Sequence, residues 1–153
     1  MRIRKARPTD ATTIARFNRN LAWETERIRL KPQVISRGVR ALLKDAGKGI
    51  YFVAEQDGEV IGQLLVTYEW SDWRNGKFWW IQSVYVAQKF RRAGVFSTLF
   101  NHVNDVAQAR KDVCGLRLYV ERNNQRAQQA YQRLGMKHTH YQIYENCFRS
   151  YRS

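Results

Sequence analysis

Residues 84–100 read VYVAQKFRRAGVFSTLF, and the passage from strand to helix inside this stretch decides the fold. Val84-Tyr85-Val86 closes an alternating apolar run, as a strand does. Val95-Phe96-Ser97-Thr98-Leu99-Phe100 then opens a helix whose apolar stripe continues through Val103, Val106 and Ala107. Between them lie Arg91, Arg92, Ala93 and Gly94, and none is the Ser, Thr, Asp or Asn that normally caps a first turn. Uncapped first-turn amides are costly unless a ligand takes them. A glycine turn ahead of a helix N-terminus, with two arginines beside it, suits a phosphate group. An ordinary turn with solvated arginines is the alternative on this stretch alone.

Outward from that stretch, the elements alternate in type. Met1–Arg7 alternates and reads as a first strand, and Pro8-Thr9-Asp10 opens a helix carrying Ile14, Phe17 and Leu21. A second helix follows Pro32. Residues 50–70 form a hairpin turning at Asp57-Gly58, and the turn ending in Asn75-Gly76 leads to a third strand of this meander. After the helix at Gly94, Gly115–Glu121 reads as a strand parallel to the preceding one, because a helix has crossed between them. Residues 124–134 form a helix stopped by Gly135, and residues 137–145 alternate as a last strand. The expectation is one α/β domain over residues 1–153, with a mixed sheet of about six to seven strands and about four helices.

Composition narrows the partners. The net charge of +14 favours anions. No run of five basic residues occurs, which counts against a nucleic-acid module. No apolar run reaches the ~18 residues of a membrane span, and the first ten residues lack the apolar core of a signal peptide. A soluble, non-exported, cytoplasmic protein is expected, with no membrane partner. Cys114 and Cys147 show no metal-ligand spacing, and His138 and His140 share a strand face without a third ligand, so no metal is expected.

Two segments resemble the GNAT superfamily of acetyl-CoA-dependent N-acyltransferases. One is the Arg/Gln-x-x-Gly-x-Gly/Ala loop, met by Arg91, Arg92, Ala93, Gly94, Val95 and Phe96. The other is Asn-x-x-Ala-x-x-x-Tyr-x-x-x-Gly-Phe, met by Asn124, Ala127, Tyr131, Gly135 and Met136. Phe96 and Met136 depart from the usual residues. The element order agrees along nearly the whole chain.

The resemblance implies transfer of an acetyl group from acetyl-CoA to a primary amine, by direct attack in a ternary complex. The acceptor would be polyamine-like, amino-acid-like or a peptide amine. The backbone of Val84, Tyr85 and Val86 would run beside pantetheine. Amides from Arg91 through Ser97 would hold the diphosphate, with the two arginines adding charge, and Asn124 would bind the pantetheine chain. Tyr131 would sit near the sulfur as general acid. Many relatives carry a glutamate where this chain has Gln82, a neutral amide that cannot take a proton. The remaining candidates for the base are Glu24, Glu26, Glu69 and Asp72, with Glu26 favoured. Trp23 and Trp70 beside these acids suggest a cage for a cationic amine. Such families are often homodimeric. A basic ribosome- or nucleic-acid-associated module and an inactive acyl-CoA-binding protein are the competing functions.

Overall fold

The computed structural model describes residues 1–153. Met1–Arg117 together with Tyr151–Ser153 form one compact unit, and Leu118–Ser150 form a second.

In the first unit, strand β1 (Arg2–Lys5) is followed by a 3-10 turn at Pro8–Asp10. Helices α1 (Ala11–Glu26) and α2 (Pro32–Leu43) come next. Strands β2 (Ile50–Gln56), β3 (Glu59–Ser71) and β4 (Gly76–Val86) form the meander. Helix α3 (Val95–Gln108) then crosses to β5 (Val113–Arg117). The sheet order is β1-β2-β3-β4-β5, antiparallel except for the parallel β4–β5 pair. That parallel pair is what a helical crossover produces. Asp57 (φ 52°) and Gly58 (φ 77°) make the β2–β3 turn with both central residues left-handed, as the tightest hairpins need.

The sheet has five strands, not the expected six to seven. β5 ends at Arg117, so Leu118–Glu121 falls outside the strand, and residues 137–145 form no ladder. Their alternation is not that of apolar and polar residues: Tyr141, Ile143 and Tyr144 are all exposed. A strand pattern that buries no face has nothing to hold it to a sheet. The number of helices agrees with expectation.

The core lies on both faces of the sheet. Ile14, Ala15, Val39, Tyr51 and Val53 pack together where α1 and α2 meet it. Leu99, Phe100 and Val103 of α3 are buried elsewhere in the same unit.

At the start of α1, Arg4 Nη1 donates to Asp10 Oδ2 at 2.8 Å and Arg4 Nη2 lies 3.2 Å from Glu55 Oε1. The Arg7 backbone N–H donates to Asp10 at 2.7 Å. Burial pushes the Asp10 carboxyl up, but the Arg4 and Arg7 hydrogen bonds and their charge prevail and hold it below the usual carboxylate range. The stabilisation is therefore complete above the unfolded value of about 3.9 and is lost as pH falls through the lower folded value. Asp10→Asn should lower the unfolding free energy at pH 7 by about 1–3 kcal/mol. The deficit should shrink below pH ~4 in urea titrations; a deficit independent of pH would contradict this assignment.

In the second unit, α4 (Gln125–Arg133) starts at Asn124, whose Oδ1 accepts the Ala127 N–H at 3.1 Å. It stops at Gly135 (φ 92°), with the Met136 N–H returning to the Tyr131 carbonyl at 3.1 Å.

Candidate functional site

Strand β4 is paired unevenly. β3 lies along it from Gly76 to Val86, but β5 meets it only from Lys77 to Trp80. Within this unit, one edge of β4 from Ile81 onward faces no strand. The β3 register also slips by one residue. Gln63 pairs with Tyr85 and Leu65 with Gln82, so Ser83 and Val84 stand opposite Leu64 alone. Ser83 is left-handed (φ 50°), which makes this a bulge that bends β4 where β5 leaves it. Gln63, fully buried, donates its Nε2–H to the Ser83 carbonyl at 3.0 Å, while its Oε1 has no partner. Gln82 donates to Thr67 Oγ1 at 2.5 Å.

The chain leaves β4 through Ala87, whose N–H bonds the Ile61 carbonyl at 2.8 Å, and through a 3-10 turn at Gln88–Phe90. Arg92 (φ 65°) and Gly94 (φ 78°) are both left-handed and exposed, a backbone form that gathers N–H groups into an anion-binding hollow. Gly94 is the N-cap of α3, with no side-chain cap. The Thr98 N–H bonds back to the Gly94 carbonyl at 3.0 Å. A Cβ placed on Gly94 would meet nothing within 4 Å, so the turn is open in front. Val95 is buried, Phe96 is half-buried with its ring 6.1 Å from Phe100, and Ala93 and Ser97 are exposed. An uncapped helix start, two left-handed residues and the Arg92 side chain make a donor set that fits a diphosphate.

Glu24, Tyr85 and Arg91 come together although 67 residues separate the two charges. Tyr85 OH donates to Glu24 Oε2 at 2.8 Å, Arg91 Nη2 donates to Glu24 Oε1 at 2.7 Å, and Arg91 Nε donates to the Val86 carbonyl at 2.9 Å. Burial pushes the Glu24 carboxyl up, yet these partners hold it below its ordinary value. Burial and the adjacent Glu24 carboxylate push the Tyr85 hydroxyl up. Arg91 thus ties the loop to α1.

The other acidic candidates are dispersed. Glu69 accepts from Trp80 Nε1 at 2.7 Å and from Arg117 at 3.1 Å. Asp72 Oδ1 accepts the N–H of Trp73 within the β3–β4 turn, at 2.9 Å. Trp70, exposed, pairs with Lys77, seven residues from Val84 and so about 23 Å along the strand. Glu26 is exposed in the last turn of α1. No cage for a cation surrounds Trp23; its ring is covered by Arg29 at 4.3 Å and Arg27 at 5.2 Å. Asn20, unnoticed in the sequence, is a polar neighbour of the Tyr85 hydroxyl. The signal was present: Asn20 and Glu24 stand four apart on α1 and share a face.

In the second unit, Asn124 is engaged as the α4 cap, and burial pushes the half-buried Tyr131 hydroxyl above its usual value.

Likeness to known proteins gives the family. The Acetyltransferase (GNAT) family pattern matches residues 15–136, and the chain belongs to that family. It is similar to a possible acetyltransferase from Clostridium difficile 630, with 46% identity over 97% of this chain and 98% of that one, at a TM-score of 0.92. Two more distant structures share the fold. A predicted acetyltransferase with acetyl-CoA from Clostridium acetobutylicum has 15% identity over 95% of each chain and a TM-score of 0.77. A ribosomal-protein-alanine N-acetyltransferase from Brucella melitensis biovar Abortus 2308 has 18% identity over 96% of this chain and 98% of that one, at 0.76. No curated protein matches the chain. The protein is an acyltransferase of a family that uses acetyl-CoA, and no helix is long and apolar enough to cross a membrane.

Proposed function

We propose that the chain acts as one catalytic domain that transfers the acetyl group of acetyl-CoA directly to the nitrogen of a primary amine. The observation that carries this reading is the free β4 edge beyond the Ser83 bulge, leading straight into the uncapped N-terminus of α3. An unpaired strand edge offers backbone donors and acceptors to an extended amide chain such as pantetheine. Val84, Tyr85 and Val86 would provide them. The amides between Arg91 and Ser97 would hold the diphosphate.

Arg92 supplies the formal charge at that loop. Arg91, spoken for by Glu24 and Val86, fixes its position instead. A backbone N–H near Val84 would favour negative charge on the acyl oxygen as the amine attacks. The assignment of Asn124 to pantetheine rests on the motif match, as does that of Tyr131 to protonation of the departing sulfur. The Tyr131 phenol carries its proton at neutral pH, as any tyrosine does; burial raises it further and makes it the weaker acid, so the role rests on the motif alone. Glu26 serves as base: Glu24 and Glu69 are committed to arginines, and Asp72 is engaged by the Trp73 N–H in the distal β3–β4 turn.

The test is release of CoA thiol from acetyl-CoA across a panel of amines, with Tyr131→Phe alongside. Turnover with at least one amine, reduced about 10²–10⁴-fold in the variant, is the expected result. No turnover with any amine, despite tight acetyl-CoA binding, would favour an inactive acyl-CoA-binding protein.

A further inference from the structure

The turn between α1 and α2 borders two adjoining open surface hollows of about 330 and 390 Å³, which share Trp23, Ile28, Arg29 and Ser153. Arg27 and Arg152 complete the charged lining of the first, and Arg19 that of the second. Four guanidinium groups therefore line this cleft, and no acidic side chain does. The cleft has a built wall. Leu30 and Arg152 form an antiparallel bridge, flanked by hydrogen bonds from Ser153 N–H to the Arg29 carbonyl at 2.8 Å and from Lys31 N–H to the Tyr151 carbonyl at 3.1 Å. Trp23 supplies a flat apolar floor on which Arg27 and Arg29 stack, which fixes the direction of long side chains that would otherwise roam.

Asn20, which lines it, neighbours the Tyr85 hydroxyl; that hydroxyl donates to Glu24, and Glu24 accepts from Arg91 of the loop. A chain of polar neighbours thus runs from the cleft to Tyr85 near the end of β4.

We propose that this cleft selects acceptor amines carrying an anionic group, a carboxylate or a phosphate, and rejects polyamines. The proposal rests on acetyl transfer to an amine as the activity and adds the acceptor's charge. Planar guanidinium groups match carboxylate and phosphate oxygens in pairs of hydrogen bonds. The same positive lining disfavours an ammonium, so the bound amine loses its proton more readily, and the neutral amine is the form that attacks. A diamine or polyamine brings a second cation against these four guanidinium groups.

The experiment compares four acceptors of similar chain length: an α,ω-diamine, an uncharged primary alkylamine alcohol, an ω-amino acid and an aminoalkyl phosphate. Each is assayed by thiol release and, separately, by quenching of tryptophan fluorescence without acetyl-CoA. The anionic amines should show the lowest KM, and the ranking of carboxylate against phosphate tells which anion the cleft prefers. Arg29→Gln should raise the KM for the preferred anionic amine about ten- to a hundred-fold. The KM for acetyl-CoA and the turnover of the uncharged amine should stay within about two-fold. Arg152→Gln serves as a second variant should the first fail to fold. Preference for the diamine, or an anionic KM that neither arginine changes, overturns the proposal while leaving acetyl transfer intact. If no amine is acetylated, fluorescence binding still decides: anion-dependent quenching lost in Arg29→Gln supports the cleft, and its absence refutes it.

Discussion

Gly94→Val should raise the KM for acetyl-CoA about ten- to a hundred-fold while leaving the protein folded. Two effects act together. Gly94 sits at φ 78°, where a β-branched residue is a severe outlier. The left-handed conformation costs an L-residue about 1–2 kcal/mol. The turn either bears that strain or relaxes, and relaxation swings the first amides of α3 away from their common focus. Losing one hydrogen bond to a charged group costs about 1.5–3 kcal/mol, which sets the expected loss of affinity. The new side chain also occupies the open space in front of the turn.

Gly58→Val is the matched control. Gly58 has φ 77° and also has nothing within 4 Å of its Cβ position, but it lies in the β2–β3 hairpin. Both variants should lose about 2–8 °C of Tm from strain alone, and only Gly94→Val should lose acetyl-CoA. Equal acetyl-CoA affinity in the two would show that the loop is not the diphosphate cradle.

The contrast between these two glycines shows what the sequence makes legible. Asp57-Gly58 announces a hairpin because the turn is set by local backbone preference. Pro32 at the start of α2, Asn124 at the start of α4 and Gly135 at its end are legible for the same reason: each acts within one turn of its own position. The turn at Arg91–Gly94 reads as a loop with a purpose because caps are local, and a missing cap is as visible as a present one.

What the sequence hides depends on a partner distant along the chain. The Ser83 bulge is a register slip against β3, and nothing in Gln82-Ser83-Val84 reveals it. The union of Glu24 with Arg91 is set by where α1 crosses the end of β4, so an acid that reads as a free base is in fact tied down. Residues 137–145 err in the opposite direction. Their spacing reads as a strand, but a strand needs an edge and a face to bury, and period alone supplies neither. The tryptophans mislead for a related reason: Trp23 and Trp70 look alike in sequence, yet one is covered by arginines and the other stands near the distal β3–β4 turn.

Leu99→Ala should have the reverse signature, a large loss of stability with a small loss of acetyl-CoA affinity. Leu99 is fully buried on the face of α3 that meets β3. There Gly62 admits the helix: a Cβ on that glycine would come within 3.0 Å of Val95 Cγ1 and 3.4 Å of Leu99 Cδ1. The helix is therefore seated against bare backbone, and its neighbours have little freedom to fill a hole. Truncating a buried leucine costs about 2–5 kcal/mol, with the upper part of the range reached where the site cannot collapse. For a chain of this length that lowers Tm by roughly 4–20 °C. The first turn of α3 keeps its left-handed entry at Gly94 and its anchor at Val95, so the amides stay aligned and acetyl-CoA affinity should fall less than about five-fold. Thermal melts and acetyl-CoA titrations of Leu99→Ala and Gly94→Val, taken together, separate seating of the helix from presentation of its amides. Parallel losses in both variants would mean that the loop's grip is only a reflection of global stability, and the separate role given to its backbone conformation would fall.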